Sequence, residues 1–442
     1  MAQTKTVLKD LKLSMAGMIE RVRETFSSLP DARKNSPNLQ YTVADAALAA
    51  FSVFFFQFPS FLSYQRAMEE KTGRNNARSL FGVPAIPTDN TIRNILDPVS
   101  PEKIYPVLAE IGDRLKAGGY LDEYRTPLGF LVPLDGTQTF FSEKLSCKNG
   151  TNKTHADGTV THHHSAITPV LVVPGQSRVI ALPPEFVNPQ DGATKQDCEI
   201  RAASRWIENQ GSHYAPWGVT LLGDDLYSRE PFCQKAIDAG FSFLFVCKES
   251  SHKTLYEYLK DSCETKVEHR VEGKRKIRRE TDTYRFMTGA PIKDGKEALA
   301  VNWFSLTTTD SFTGKVLYSG AWITSHPVDA KTVVLMARCA RARWKVENEN
   351  NNVLKTKGYN LEHNFGHGKE HLSDTLTTLN ILSFLLHTAL EFVDLRYRTL
   401  RSLSPRQELF NALKYLTSRF FFKSWDYLMA VMLKEEQLVD SG

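Results

Sequence analysis

The stretch GFLVPLDGT, residues 129–137, decides the fold class that the sequence predicts. Six uncharged residues precede Asp135, a pattern typical of a short buried strand that ends in a turn. Upstream of this stretch, residues 1–125 carry apolar side chains at helical spacing. Downstream, apolar residues recur with a period of two. The chain therefore changes from helical to α/β character near residue 126.

The region after Asp135 alternates predicted strands with predicted helices. Strands are expected at 165–173, 177–182, 219–222 and 241–246, and helices at 194–209 and 229–239. This order predicts a mixed α/β sheet. Residues 254–325 alternate polar and aromatic side chains between glycines, which indicates an all-β insertion. The resulting division is a helical region 1–125, a core 126–253, the insertion 254–325, a core helix within 326–370 and a helical region 371–442.

Composition narrows the class of protein. The chain has 442 residues, 41% of them apolar and 24% charged, which excludes a globally disordered, collagenous or coiled-coil protein. Six cysteines without a CxxC pair favour a reducing cytoplasm. The apolar stretch 46–62 is interrupted by Gln57 and Pro59, so we expect a buried core helix rather than a membrane segment. We expect a cytoplasmic protein with no membrane partner.

Two carboxylates follow predicted strands. Asp135 ends the first strand, and Asp224 follows the strand at 219–222. Open α/β sheets bind ligands at the carboxyl ends of their strands. Two neighbouring carboxylates repel each other unless a cation lies between them, and oxygen donors suit magnesium or manganese. The alternative is that each aspartate only caps a turn.

A third carboxylate lies on a predicted helix at 327–355. Its segment ARARWKVENENNN, residues 340–352, places Arg343 four residues before Glu347, on the same helix face. Four of the residues 348–352 are asparagine, a poor helix former, which suggests a polar cavity. An ordinary surface ion pair is the alternative. Glu349 is a weaker candidate because two residues rotate it by about 200° from Glu347.

These stretches resemble the motifs of DDE transposases of bacterial insertion sequences. LDGTQ (134–138), LLGDDLYSRE (221–230) and RWKVE (343–347) are similar to the three catalytic motifs, and IPTDNTIRNILDP (86–98) is similar to the segment preceding the core. The resemblance implies an RNase H-like mixed sheet core interrupted by an all-β insertion, with helical N- and C-terminal regions. Two family positions differ, since Ala340 replaces a tyrosine and Leu354 replaces a lysine.

The resemblance also implies an activity. Asp135, Asp224 and Glu347 would hold two Mg²⁺ ions, with Mn²⁺ able to substitute, for DNA cleavage and strand transfer by in-line displacement. Asp224 is preferred to Asp225 because Tyr227 completes an Asp-x-x-aromatic pattern. The implied partners are double-stranded DNA, both element ends and target, and a second copy of the chain in a synaptic homodimer associated with the nucleoid. A nuclease without strand transfer and an inactive DNA-binding derivative remain alternatives.

Basic and aromatic residues are candidates for DNA contact. The resemblance implies phosphate contacts by Arg343 and by Lys355, the nearest substitute for the missing lysine. Trp344 and Trp322 are candidates for base stacking. The insertion carries a basic cluster, which a solvated surface would also explain: Lys274, Arg275, Lys276, Arg278 and Arg279. Residues 1–75 are a weaker candidate for reading DNA bases.

Cysteines and histidines raise the question of a zinc site. Cys147, His155, Cys198 and the run His162–His164 lack zinc-finger spacing, so a structural or DNA-adjacent role is favoured over zinc. His363 and His367 lie among glycines in a predicted loop. DNA contact or helix capping is expected for them.

Overall fold

The computed structural model describes residues 13–33, 39–69, 75–189, 195–260, 263–272 and 278–439. The fold is mixed α/β, with a curled mixed sheet and helices at both ends of the described chain. The main sheet has eight strands in the order β1-β2-β9-β10-β14-β13-β12-β11. Their bounds are β1 Arg125–Thr126, β2 Gly129–Pro133, β9 Val219–Gly223, β10 Ser242–Val246, β11 Glu264–Glu272, β12 Arg278–Pro291, β13 Ala300–Asp310 and β14 Val316–Thr324.

Three neighbouring strands of this sheet, β2, β9 and β10, are parallel. Strand β9 pairs with β2 on one side and with β10 on the other. Pro133 lies opposite Leu222, which confirms that the strands preceding Asp135 and Asp224 are neighbours. Gly129, at φ +82°, has to be glycine, because a Cβ there would lie 1.9 Å from the Gly218 carbonyl oxygen. The two candidate aspartates therefore follow adjacent strands at one edge.

A second sheet begins beside Asp135. It contains β3 Gly136–Ser142, β4 Thr151–Thr154 and β5 Val160–Ile167 in the order β3-β5-β4, with β8 Glu185–Phe186 next to β5. Strands β6 Val170–Leu171 and β7 Ile180–Ala181 form a separate ribbon. The sequence predicted a turn after Asp135 and missed β3 and β4. Asp135 consequently lies where the chain passes from one sheet to the other.

The predicted all-β insertion is a four-stranded antiparallel meander, β11 to β14. Its last strand pairs with core strand β10, with Phe245 opposite Ile323. The meander therefore continues the main sheet. Trp303, Phe304 and Trp322 are buried in it.

Helices cross between the core strands. Helix α7 (Lys195–Tyr214) precedes β9, and α8 (Glu230–Asp238) connects β9 to β10. A further short helix, α9 (Lys253–Tyr258), connects β10 to the meander.

A helical N-terminal region precedes the sheet, as predicted. The N-terminal helices are α1 Met15–Ser27, α2 Val43–Phe55, α3 Phe61–Met68, α4 Asn76–Phe81, α5 Asp89–Leu96 and α6 Tyr105–Ala117.

Helix α2 confirms the expected core helix within 46–62. Thr42 and Asp45 form a reciprocal capping box at its start, and its residues from Ala46 to Phe55 are buried. The helix ends before Gln57, which adopts a positive φ of 56°. A new helix, α3, then starts at Phe61 with Ser60 as its cap.

The long helix expected at 327–355 is wrong in detail. Helix α10 begins only at Val333, because the Asp329 side chain accepts hydrogen bonds from the backbone of Lys331 and Thr332 and closes a turn. After Arg341 the chain continues as a 3₁₀ turn, Ala342–Trp344, and a π-helix, Val346–Asn351. Helix α11 (Asn352–Thr356) follows. A π-helix in a helical run often marks a functional site.

The C-terminal region is also helical, as predicted. Its elements are α12 Leu372–Val393, α13 Leu395–Leu403, α14 Arg406–Arg419 and α15 Trp425–Val439. Helix α12 is long and apolar enough to cross a membrane, although 83% of its apolar window is buried inside the protein. The buried residues of both terminal regions join one hydrophobic cluster with the sheet.

Asp97, the residue after α5, forms hydrogen bonds with the loop that precedes α12. Its carboxylate accepts hydrogen bonds from three backbone N–H groups at 2.9 to 3.3 Å, those of Lys369, Glu370 and Leu372. Burial opposes ionisation, but these bonds lower the pKa of Asp97 below its usual value. The ionised carboxylate therefore stabilises the fold above about pH 4, and this contribution is lost as the pH falls through the lowered value.

We expect Asp97→Asn to lower the free energy of unfolding by about 1–3 kcal/mol at pH 7, because charge-assisted hydrogen bonds are lost. The deficit relative to the wild type should shrink between about pH 4 and pH 2, where Asp97 itself becomes protonated. Urea denaturation at several pH values measures both effects. Asp122→Asn, at an exposed position, is the control. A deficit that stays constant down to pH 2 would contradict the role of the charge.

Candidate functional site

Asp135 is half-buried between the two sheets. Its Oδ2 accepts a hydrogen bond from Asn351 Nδ2 at 3.1 Å, and its carbonyl oxygen accepts from the Thr168 N–H at 3.2 Å. Thr168 in turn donates from Oγ1 to Asn351 Oδ1 at 2.7 Å. Asn351 thus connects the π-helix to the first aspartate. This contact gives Asn351 a buried polar role of the kind expected for the asparagine run, whereas Asn348 and Asn352 of the same run are exposed.

The two aspartates after β9 have different environments. Within the described part of the chain, the Asp224 carboxylate accepts one hydrogen bond, a local one from the Leu226 N–H to Oδ1 at 2.9 Å. Asp225 is used structurally, since Oδ1 accepts from the Lys248 N–H at 2.6 Å and Oδ2 from Ser251 Oγ at 2.5 Å. These contacts favour Asp224 as the carboxylate available to a ligand.

We expect Asp224→Asn and Asp225→Asn to have different effects on the stability of the protein. Asp225→Asn should lower the free energy of unfolding by about 1–2 kcal/mol, because a carboxylate that accepts two bonds from the 248–251 segment loses its charge. Asp224→Asn should leave stability within about 0.5 kcal/mol of the wild type, since its local turn bond persists. Urea titrations compare the two variants. Equal destabilisation by both would argue against this division of roles.

Glu199, on α7, is a site residue that sequence reasoning missed. Its Oε1 accepts hydrogen bonds from Tyr227 OH at 2.8 Å and from the Gly136 N–H at 3.3 Å. It thereby joins the residue after Asp135 to the aromatic residue of the second motif. Its position near the start of a helix that precedes the Asp224 strand was the available signal, but nothing in its local sequence distinguishes it from a surface glutamate.

Neighbouring charged side chains shift the pKa of Asp135. Burial and the negative charges of Glu199, Glu347 and Asp224 raise the pKa of Asp135 to about 7, and the Arg343 guanidinium opposes the rise. Glu199, Glu347 and Asp224 therefore act on Asp135 electrostatically. Among the described residues, however, these carboxylates do not form a group whose oxygen atoms are already close enough together to hold a metal ion.

Glu347 lies on the π-helix and reaches solvent. Its side chain is 49% exposed and forms an ion pair with Arg343 at 2.8 Å, the pairing expected from their spacing. Asn350 and Asn351, three and four residues further along, are buried, with exposed fractions of 1% and 6%. The π-helix thus carries an exposed carboxylate and a buried amide pair within one turn.

The residues predicted to contact DNA differ in exposure and in their contacts. Trp344 is 43% exposed, with Lys345 Nζ 5.0 Å from its ring centre. Lys355 forms an ion pair with Glu362 at 2.8 Å. The prediction that Trp322 stacks on DNA bases is wrong. Its side chain is 3% exposed and stacks on Phe304, so its ring is not accessible to a base.

The basic cluster of the insertion is only partly described. Lys274, Arg275 and Lys276 lie outside the described residues, and the Arg278 side chain is likewise outside them. Arg279 is exposed and lies over the Phe312 ring at 5.7 Å. DNA contact by this cluster stays a prediction.

A cavity opens beside the carboxylates. It has a volume of about 800 Å³ and extends from Gly136 and Glu199 along β3, β4 and β5. Lys153 and His163 contribute basic or polar groups to its lining. The cavity has a mixed polar and apolar lining, and it reaches the acidic cluster through Glu199.

The donor set suits a hard divalent cation. Carboxylate oxygens dominate it, and crowded carboxylates are stabilised by a bound cation. Groups of this kind on adjacent strand ends can support phosphodiester chemistry when they bind metal. No family model matches the chain, and no curated protein matches its sequence.

Proposed function

We propose that this protein is a DDE-type transposase that cleaves and joins DNA at the carboxylate cluster. The observation that carries the proposal is that Asp135 and Asp224 follow neighbouring parallel strands, while burial and the charges of Glu199, Glu347 and Asp224 raise the pKa of Asp135 to about 7. Motifs that resemble those of transposases contain Asp135, Asp224 and Glu347. We further propose that the sheet around β2, β9 and β10 is an RNase H-like core.

Asp135, Asp224 and Glu347 would hold Mg²⁺, with Glu199, which accepts a hydrogen bond from the Gly136 N–H next to Asp135, as a further donor. Bound Mg²⁺ would supply Lewis-acid activation of the attacking and leaving oxygens of a phosphodiester. Asn351 orients Asp135 through a direct hydrogen bond, and Tyr227 orients Glu199. Such supporting contacts keep carboxylates in a fixed geometry.

The surroundings offer positions for DNA. Arg343, held by Glu347, lies next to the cluster and can approach a backbone phosphate. The exposed Trp344 ring, one residue further, can stack on an unpaired base. The 800 Å³ cavity beside Glu199 can receive part of a strand.

The experiment uses supercoiled plasmid that carries the DNA flanking this gene on both sides. We expect the purified chain to nick or cut this DNA at defined positions with Mg²⁺, and to join the released 3′ ends to a target plasmid. Calcium and EDTA serve as controls for the metal. A plasmid with scrambled flanks tests whether the ends are recognised.

The outcomes separate the alternatives. Cleavage without joined products would favour a nuclease without strand transfer. Binding of the flanks without cleavage would favour an inactive derivative. Neither binding nor cleavage in any divalent metal would refute the proposal.

A further inference from the structure

Three side chains outside the carboxylate cluster converge on one point. Cys147 follows β3, His164 lies on β5, and His367 lies in the loop before α12. Their possible ligand atoms all lie within 4.8 Å of one another. Sequence spacing argued against zinc because it grouped neighbouring residues, whereas the fold adds His367 from far along the chain.

His164 is oriented as a metal ligand would be. Its Nε2 faces Cys147 Sγ at 3.3 Å, while Nδ1 faces Asp374 Oδ1 at 3.3 Å. His164 is 3% exposed and Asp374 is 5% exposed. Metal-binding histidines almost always hydrogen-bond a carboxylate or carbonyl through the other ring nitrogen. The Asp374 contact fixes the ring so that Nε2 points at Cys147, where both atoms could bind one ion.

His367 supplies an independent observation. Both of its ring nitrogens are buried and lack a hydrogen-bond partner among the described residues. Its ring lies edge-on to His164, with centroids 4.8 Å apart, and 4.7 Å from Phe140. A buried polar group without a partner is costly, and a metal bond would satisfy one nitrogen.

The chemistry of the three donors favours zinc. Cys147 would bind a metal ion as its thiolate, and His164 and His367 would bind it through neutral ring nitrogens. A thiolate with two imidazoles is a soft-to-borderline donor set, which suits Zn²⁺ and not Mg²⁺. Tetrahedral zinc with bonds of about 2.0–2.3 Å requires only a small contraction of the observed cluster.

We propose that Cys147, His164 and His367 bind one structural Zn²⁺ ion, with solvent as the fourth ligand. The ion would join the loop after β3 and strand β5 to the segment that leads into α12. Gly136, the first residue of β3, follows Asp135 directly, so the ion would fasten the sheet beside the carboxylate cluster to the C-terminal helices.

The test is metal binding by untagged, chelator-treated protein in millimolar Mg²⁺, which saturates hard oxygen sites. We expect one equivalent of Zn²⁺ by elemental analysis, and a thiolate-to-cobalt charge-transfer band on titration with Co²⁺. Cys147→Ser should abolish the band, and His367→Ala should weaken Zn²⁺ binding at least about 100-fold. Asp374→Asn should weaken it about 10- to 100-fold.

Cys263→Ser is the matched control, because this half-buried cysteine lies outside the cluster. It should retain both the band and one equivalent of zinc. Zinc should raise the melting temperature of the wild type and of Cys263→Ser but not of Cys147→Ser. Substoichiometric binding by folded wild type would overturn the proposal. So would zinc that is lost in Asp135→Asn and kept in Cys147→Ser, since the ion would then belong to the carboxylates.

Discussion

Asp135→Asn is expected to reduce metal-dependent cleavage of the flanking DNA by more than about 100-fold without destabilising the protein. Loss of contacts that only support a metal ligand costs about 10- to 100-fold, so loss of a ligand carboxylate should cost more. Asparagine has the same shape and keeps an oxygen that can accept the Asn351 hydrogen bond. Cleavage rates at saturating Mg²⁺ measure the effect.

Asp135→Asn should lose activity but not thermal stability. Burial and three neighbouring negative charges oppose ionised Asp135, and the neutral amide removes this repulsion. We therefore expect Asp135→Asn to melt at the same temperature as the wild type or above it when no divalent metal is present. Active sites commonly sacrifice stability in this way.

Two comparisons make this prediction specific. Glu408→Gln removes an exposed carboxylate in the C-terminal helices and should change neither cleavage nor melting. DNA binding by Asp135→Asn in a mobility-shift assay should match the wild type, because the substitution affects chemistry and not the DNA surface. Retained cleavage would remove Asp135 from the mechanism, and lost binding would indicate a structural role instead.

The sequence could predict Asp135 and Asp224 because both depend on local patterns. Each follows a short apolar run, and parallel strands joined by helices bring their carboxyl ends to one edge. The Arg343–Glu347 pair was equally local, since four residues along a helical turn share a face. Local periodicity therefore sufficed for strands β2 and β9 and for the placement of the two aspartates after them, but not for β3, β4 or the interrupted helix after residue 327.

Other parts of the site depend on long-range contacts that have no local pattern. Glu199 acquires its role only from Gly136 and Tyr227. The asparagine-rich sequence at Val346–Asn351 does not indicate a π-helix, and the partners of the buried Asn351 come together only when the chain folds. His367 is likewise brought to Cys147 by the fold alone.

Trp322 illustrates the opposite error. The sequence placed it at the end of an insertion, where an aromatic side chain could be free to stack on DNA. The meander instead continues the core sheet, because Trp322 pairs in register with Val246 of β10. A strand that is central to a sheet buries one face, so its tryptophan packs on Phe304.

The terminal helices also differ from the sequence-based division into separate regions 1–125 and 371–442. Asn76, at the start of α4, is fully buried, and its Nδ2 donates to the carbonyl oxygens of Thr417 and Phe420 at 2.7 and 2.8 Å. Its Oδ1 accepts from the Phe422 N–H at 2.9 Å. One side chain thus satisfies three backbone groups at the end of α14.

Asn76→Ala is therefore expected to lower the free energy of unfolding by about 3–6 kcal/mol, because each buried group left unsatisfied costs about 1–3 kcal/mol. Urea denaturation measures the loss, with Asn94→Ala, at an exposed position of α5, as the control expected to lie within about 0.5 kcal/mol of the wild type. Hydrogen exchange should accelerate in α4 and in α14 together. Acceleration confined to α14 and α15 would mean that the N-terminal helices are stable without the C-terminal ones, and that a DNA-binding region could be separated from the rest of the chain.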